Sequence, residues 1–381
     1  MSDTAYVSPG IIGERPAPRG NVGILAWLRA NLFSGPVNSL ASVLLLAFVG
    51  WALWQVLNFT VFTAVFTDPE GQRGVVCRPI EVGREVGACW PFIGARWTFF
   101  LYGFYPLGEV WRVNVMLLLG LALLVPLIIP SVPFKRTNVV LFFVVYPVIA
   151  GILMIGGVFG LRPVPSEQWG GLSLTLIISV LGIVCSMPLG ILLALGRQSK
   201  LPIVKAFCVG FIELWRAVPL ITVLFMASVM FPLFMPQGMT IDNLLRAIVG
   251  IILFESAYVA EVVRGGLQAL PRGQYEASAA LGLSKLKSTM LVILPQALKH
   301  VIPGIVNTFI ALFKDTSLVS IIGIFELLNT VRTANNDTNW NSPTQAITGY
   351  LFAGAIFWVF CFAMSRYSIY MEGRLNTGHR R

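Results

Sequence analysis

The stretch from Glu276 to Pro295, EASAALGLSKLKSTMLVILP, decides how this chain is read. It is a basic, amphipathic break with room for about two short helices, set between long apolar runs. With 56% hydrophobic residues, 12% charged residues and a mean hydropathy of +0.79, the chain is far more apolar than an average soluble domain. It reads as an all-α integral membrane protein. In such a chain a helical, basic loop of this length points to a docking partner.

On either side of that stretch, apolar runs bounded by Pro, Gly and charges place spans near 40–63, 113–130, 138–160, 172–196, 207–233, 245–265, 298–323 and 346–366. Crossing about 30 Å of hydrocarbon takes roughly 20 residues, and these runs are about that long. About eight spans put both termini on one side, and the basic residues select the cytoplasm. That orientation turns Arg15, Arg19, Arg29, Lys135, Arg136, Arg197, Lys200, Lys205, Lys285, Lys287, Lys299, Arg374, Arg380 and Arg381 inward. The short outer loops keep only Arg162, Arg246 and Arg332. A longer outer loop, about 66–112, holds five arginines and five acids and weighs little in the tally. Residues 1–37 are rich in Gly, Pro and Arg without an apolar core, so they are expected to be a cytoplasmic tail rather than a cleaved signal. Residues 371–381 form the second cytoplasmic tail. The net charge of +10 is thus explained by a membrane surface and needs no nucleic acid.

A part that transmits force from a soluble motor needs a short rigid helix and a tight reversal. Glu276 to Leu281 can supply the helix, with Ala277, Ala279 and Ala280 small enough for close approach. Gly282 can take the left-handed backbone that ends it. Ser284 can cap a second helix reaching Met290, with Lys285 and Lys287 turned to solvent or headgroups, and Pro295 marks the return to the membrane. Glu276, favoured near a helix start, is free to pair with a basic residue of a partner. An ordinary loop obeying the charge rule would be basic but would not need this spacing. GLSKLKS lacks the second glycine of a phosphate loop, and no G-x4-G-K-[ST] occurs elsewhere, so any motor is another chain.

The frame Glu276-Ala277, Gly282 and Leu294-Pro295 resembles the EAA loop (E-A-A-x3-G-x9-I-x-L-P) of bacterial ABC-importer permeases, with Ser278 in place of Ala and Val292 in place of Ile. GLSLTLIISVLGIVCSMPLGILLALGR (171–197), ELWRAVPLI (213–221), ESAYVAEVVRGGLQALPRGQYEASAALGL (255–283), LPQALKHVIPGIVN (294–307) and LFKDTSLVSIIG (312–323) are similar to permeases for polar amino acids, the histidine, glutamine and general L-amino-acid importers. The added amino-terminal spans look most like the longer permease of the general L-amino-acid systems. This resemblance implies a five-span type I core over 166–370 with a coupling loop at 266–297, preceded by a three-span extension over 38–165. It implies ATPase coupling through Glu276, Ala277, Ala280, Gly282, Leu294 and Pro295. The implied partners are ABC ATPase subunits that hold ATP and Mg, a second homologous permease, and a periplasmic amino-acid-binding protein. The implied place is the bacterial inner membrane. The chain itself would do no bond chemistry and hold no cofactor or metal, moving polar L-amino acids inward by alternating access. The alternative is a secondary transporter driven by an ion gradient. A membrane enzyme has little to work with: the histidines are His300 and His379, without metal spacing.

Ionisable groups within spans are costly and mark a path or a paired site. Here they are Glu213, Arg216, Glu255, Glu261, Arg264, Lys314, Asp315 and Glu326. Glu213 with Arg216 and Glu261 with Arg264 can neutralise one another along a helix. Glu255, beside Ser256 and Tyr258, is a candidate for a substrate ammonium. Lys314, Asp315, Thr316 and Ser317 lie about 20 Å from the cytoplasmic end of their span. Lys314 could face a substrate carboxylate and Asp315 an ammonium, or the two could form an internal pair that fixes packing. Cys185, Cys208 and Cys361 read as small core residues. Cys77 and Cys89 share the outer loop and can pair if it faces an oxidising compartment, or stay as thiols. The aromatic run WPFIGARWTFFLYGFYPLGEVW (90–111) suits a segment lying at the membrane interface, or a surface for an external partner.

Overall fold

Helices are the regular elements among the described residues, and strand pairing there is limited to the isolated bridges Val65 with Cys89 and Gly171 with Glu326. The computed structural model describes residues 23–71, 73–129 and 131–375. The expectations for residues 1–22 and 376–381, including Arg15, Arg19, Arg380 and Arg381, lie outside the described residues.

A short helix, α1 (Ile24–Asn31), precedes α2 (Pro36–Leu57), which starts on a proline after Gly35 and continues as a π turn to Phe62. No residue of α1 or α2 is buried. α3 (Val110–Ile128) and α4 (Lys135–Ile155) follow. They touch where the Tyr146 hydroxyl donates to Met116 O at 3.2 Å. Arg112, wholly buried at the start of α3, pairs with Glu109 Oε2 at 3.2 Å and lies over the Tyr105 ring.

The centre of the molecule is α5 (Gly171–Arg197) packed on α8 (Asn243–Ala269) and on α11 (Leu294–Asp315). Between α5 and α8 stand α6 (Pro202–Ala217) and α7 (Leu220–Phe234). Gly190 of α5 lets α8 come close, since a Cβ there would lie 2.6 Å from Val259 Cγ1. Two apolar clusters fill the bundle. One holds Leu174, Ile178, Ile248, Ile251 and Leu312, and the other Leu193, Ile212, Val259, Val263 and Ile305. α12 (Leu327–Ala334) and α13 (Gln345–Leu375) complete the chain.

The expected number of about eight spans is not reached by length and hydropathy. Among the described residues six helices are long and apolar enough to cross a membrane: α2, α3, α4, α5, the helix containing α11, and α13. A seventh results if α6 and α7, bent by 102°, make one span. The bend falls at Val218 and Pro219, where the pre-proline residue takes the extended backbone (φ −102°, ψ 133°) that proline imposes on its neighbour. Arg246 Nη1 donates to the Ala227 and Ser228 carbonyls in the π turn of α7. α8 has 27 residues but carries Arg246, Glu255, Glu261 and Arg264. Its charges, not its length, set it apart from an apolar span.

At one end of the bundle, called the cap end here, residues 63–109 fold onto α12 and the start of α13. Cys77 and Cys89 are joined by a disulfide. Phe92 and Phe100 are fully buried with Leu327, Val331 and Trp340, and Cys89 N–H donates to Thr348 Oγ1 at 2.9 Å. Arg96 pairs with Asp337. In the aromatic run 90–111, Phe92 and Phe100 pack towards α12 and α13 and Tyr105 is buried against Met154, while Phe104 is exposed. Trp97 and Trp111 remain exposed. Of the remaining cysteines Cys208 is buried, whereas Cys361 is half-buried and Cys185 is exposed on α5, so Cys185 is not the core residue its apolar surroundings suggested.

Glu326 lies beyond the end of the span Lys285–Ile322, not within it. Its fully buried carboxylate caps α12, accepting from Leu328 N–H and Asn329 N–H at 2.8 Å each. Burial pushes this carboxyl up to about 7 from 4.5, against the pull of those two N–H groups. The fold thus favours the protonated form. That stabilisation is complete below about pH 4.5 and is lost as pH rises through about 7, a swing of order 3 kcal/mol. In Glu326→Gln, the fall in thermal midpoint between pH 5 and pH 8 should be smaller than in the wild type. Equal falls in detergent-solubilised protein would refute the assignment.

Candidate functional site

The stretch that decides the sequence reading forms a separate module at the opposite end of the bundle, called the loop end here. α9 (Arg272–Ala280) and α10 (Lys285–Ser288) flank a turn at Gly282, and a π turn, Thr289–Ile293, leads into α11. The first helix starts four residues before Glu276, after Pro271, so Glu276 sits in its middle rather than near its start. Glu276, Ala277 and Ala280 are all exposed. Gly282 takes φ +73°, the left-handed backbone expected of it, and its N–H donates to Ala279 O at 2.9 Å. Ser284 caps α10, its hydroxyl accepting from Lys287 N–H at 3.5 Å. Leu294 is half-buried and Pro295 stands in the first turn of α11, where its missing N–H costs nothing. Exposed Leu281, Leu286 and Leu291 stand out between the basic Lys285 and Lys287. Tyr275 anchors the module through its hydroxyl on Leu267 O at 3.1 Å, and burial pushes that phenol up.

Towards the loop end, a charge cluster joins three helices. Glu261 of α8 faces Arg197 of α5 at 3.5 Å, Arg216 of α6 at 3.7 Å, and Arg264 on its own helix. Glu213 pairs with Arg197 at 3.1 Å. The expected Glu261–Arg264 contact is therefore present, but Glu213 and Arg216, three apart on α6, turn to different partners. Neighbours on other helices, invisible to a sequence pattern, outcompete the one along the helix. Arg216 also lies over the Tyr258 ring, 5.8 Å from its centre.

The residues proposed for a path fall into two groups. Glu255 is 4% exposed, and its Oε1 has no hydrogen-bond partner. Asp315, at the end of α11, is close enough for the two carboxylates to interact electrostatically. Ser256 turns back to Leu253 O, and Tyr258 stacks near Phe254 with ring centres 4.9 Å apart. Lys314 is exposed and makes no ion pair among the described residues, so no internal Lys314–Asp315 salt bridge forms. Its charge acts on Cys361 of α13, and Ser317 is half-buried in the 3-10 turn that follows α11. Asp315 thus lies within electrostatic reach of both Glu255 and Lys314. A groove of about 520 Å³ between α6, α7 and α8 is apolar apart from Arg246 and contains none of these residues. The groove left no simple trace in the sequence, because it exists only once α6, α7 and α8 are placed around the bend at Pro219.

Residues 186–376 match the family model described as the binding-protein-dependent transport system inner membrane component. The chain belongs to that family. It is 51% identical to the inner membrane amino-acid ABC transporter permease protein YhdY of Escherichia coli (strain K12), over 96% of both chains. It is 38% identical, over the full length of each, to the glutamate/glutamine/aspartate/asparagine transport system permease protein BztC of Rhodobacter capsulatus. Among solved structures it is similar to an amino acid ABC transporter crystallised with histidines, at 29% identity and a TM-score of 0.48, covering 54% of this chain and 92% of that one. As a member of this family the chain is a multi-pass inner-membrane permease, a transport component rather than a catalyst.

Proposed function

We propose that this chain is the permease subunit of an ABC importer for polar L-amino acids, with an extension over 38–165 and a five-span core over 166–370. The observation that carries this reading is the module at 272–293: two short helices, exposed except at Ser278 and the half-buried Ser288, presenting leucines and lysines away from the bundle. Such a surface, in a chain without a phosphate loop, suits a separate ATPase that holds ATP and Mg. The lysines at that end favour a cytoplasmic position for the module and for both termini. The cap end then faces outward, where a binding protein delivers substrate.

Closure of the ATPase pair moves α9 and α10, and the π turn hands that motion to α11. α5, α6 and α8 shift at the loop end, exchanging contacts around Glu261, and the path opens outward. A second, homologous permease completes the pore, and the apolar groove beside α6 and α7 offers a flank for its helices. The names of the two relatives, an amino-acid permease and a glutamate, glutamine, aspartate and asparagine permease, support the substrate class. Every such substrate has an α-ammonium, and the unpartnered Glu255 Oε1, within electrostatic reach of Asp315, supports Glu255 as its acceptor.

The decisive experiment is uptake of radiolabelled glutamate and glutamine by proteoliposomes holding the chain with its co-purified partners. Uptake should require ATP and survive collapse of ion gradients. Uptake that follows membrane potential and persists without an ATPase would replace this reading by a secondary transporter. Glu255→Gln removes a charge-assisted contact worth about 1.5–3 kcal/mol, so half-saturation should rise roughly ten- to hundred-fold while ATPase binding is unchanged.

A further inference from the structure

The module at 272–293 has almost no core of its own. Among α9 and α10 Ser278 is the single buried residue, 2% exposed, while Leu281 and Leu286 face outward. Between α9 and α10 themselves apolar contact is therefore slight, the buried Ile293 lying in the turn that follows, and polar ties carry more of the angle between the two helices. The Ser278 hydroxyl lies 2.8 Å from Tyr275 O, to which it can donate. The Ser278 and Ser288 hydroxyl oxygens are 2.5 Å apart, a hydrogen bond in which either can donate. Ser278 also supplies its carbonyl, which accepts from Leu283 N–H at 3.3 Å and closes the turn at Gly282. One residue thus holds both the reversal and the second helix.

We infer that Ser278 is a positioning residue of the coupling module, and that its hydroxyl bond with Ser288 is the strut fixing α10 against α9 for the docked partner. This rests on the reading that the module docks an ATPase. Alanine, which the EAA pattern carries at this position, fits the space but cannot make the strut. Without the strut, the competent arrangement of the helices becomes a minor one, and apparent affinity falls in proportion to its population.

The test uses the full-length chain in nanodiscs with spin labels at Arg272 and Lys287, both exposed. The wild type should give one narrow distance distribution. Ser278→Ala should at least double its width and weaken binding of the co-purifying ATPase about ten-fold, with hydrolysis per bound ATPase unchanged. The paired variant Ser278→Cys with Ser288→Cys should recover width and affinity when oxidised and lose both when reduced. A Ser278→Ala distribution as narrow as the wild type, or wild-type affinity, overturns the strut. Leu281→Asp with Leu286→Asp tests the docking reading separately: if the ATPase still binds, that reading falls whatever the spin labels report.

Discussion

Gly282→Asp should lose ATPase binding by more than ten-fold while the chain still reaches the membrane in normal amount. Gly282 has φ +73°, and a left-handed backbone costs an ordinary L-residue about 1–2 kcal/mol. That is enough to shift the corner between α9 and α10. It is too little to unfold a bundle whose clusters lie elsewhere. A Cβ at this position meets nothing within 4 Å, so apart from the backbone strain the neighbouring residues leave room for a side chain. The obstacle is the partner, which would meet a new carboxylate at the turn between two exposed helices. Gly282→Asn separates the effects, because Asn enters the left-handed region more readily and carries no charge. It should bind the ATPase at an intermediate level. Co-purification of Gly282→Asp with a full complement of ATPase would remove the module from the docking surface.

Glu261→Gln should lower the thermal midpoint by several degrees and cut uptake about ten-fold. Glu261 faces Arg197, Arg216 and Arg264, and after the substitution Glu213 alone balances three guanidinium groups. Breaking a buried pair costs about 3–5 kcal/mol, and surface pairs are worth 1 or less. These side chains are about a quarter to a third exposed, so roughly 1–3 kcal/mol is expected. Gln keeps the size and removes the charge, so the effect reads electrostatics rather than packing. Adding Arg216→Gln should restore part of the midpoint by removing one unbalanced cation. A single variant indistinguishable from wild type in midpoint and uptake would show that the cluster holds nothing together.

The sequence was legible wherever function is written in local spacing. The turn at Gly282, the proline entering α11 and the apolar runs each need only near neighbours in the chain. The run 245–265 was read as a span like the others; the helix is there, but its charges set it apart from the apolar spans, and the partners that Glu261 finds on α5 and α6 lie outside any local pattern. The outer loop showed its aromatic rings and two cysteines, yet an amphipathic surface segment and a packed cap look alike until α12 and α13 are placed beneath them. Glu213 and Arg216 illustrate the same limit. Three residues apart on one helix, they suggest a pair, while Arg197 and Glu261 make better partners from α5 and α8. Ser278 looked like a harmless replacement for alanine, and its contact with Ser288 appears only when both short helices are in place.

α2 joins the rest of the chain at the cap end, where Ala88 N–H donates to Phe59 O and the Trp90 indole to Thr60 O. None of its residues is buried. Its inclination is therefore governed by the bilayer rather than by neighbouring helices. A helix with so little packing along its length can tilt in a thicker or thinner membrane, where each ångström of mismatch costs only a fraction of a kcal/mol. The α5, α8 and α11 contacts keep their register meanwhile. Among the described residues α2 is thus held by its attachment at the cap end rather than by burial along its length.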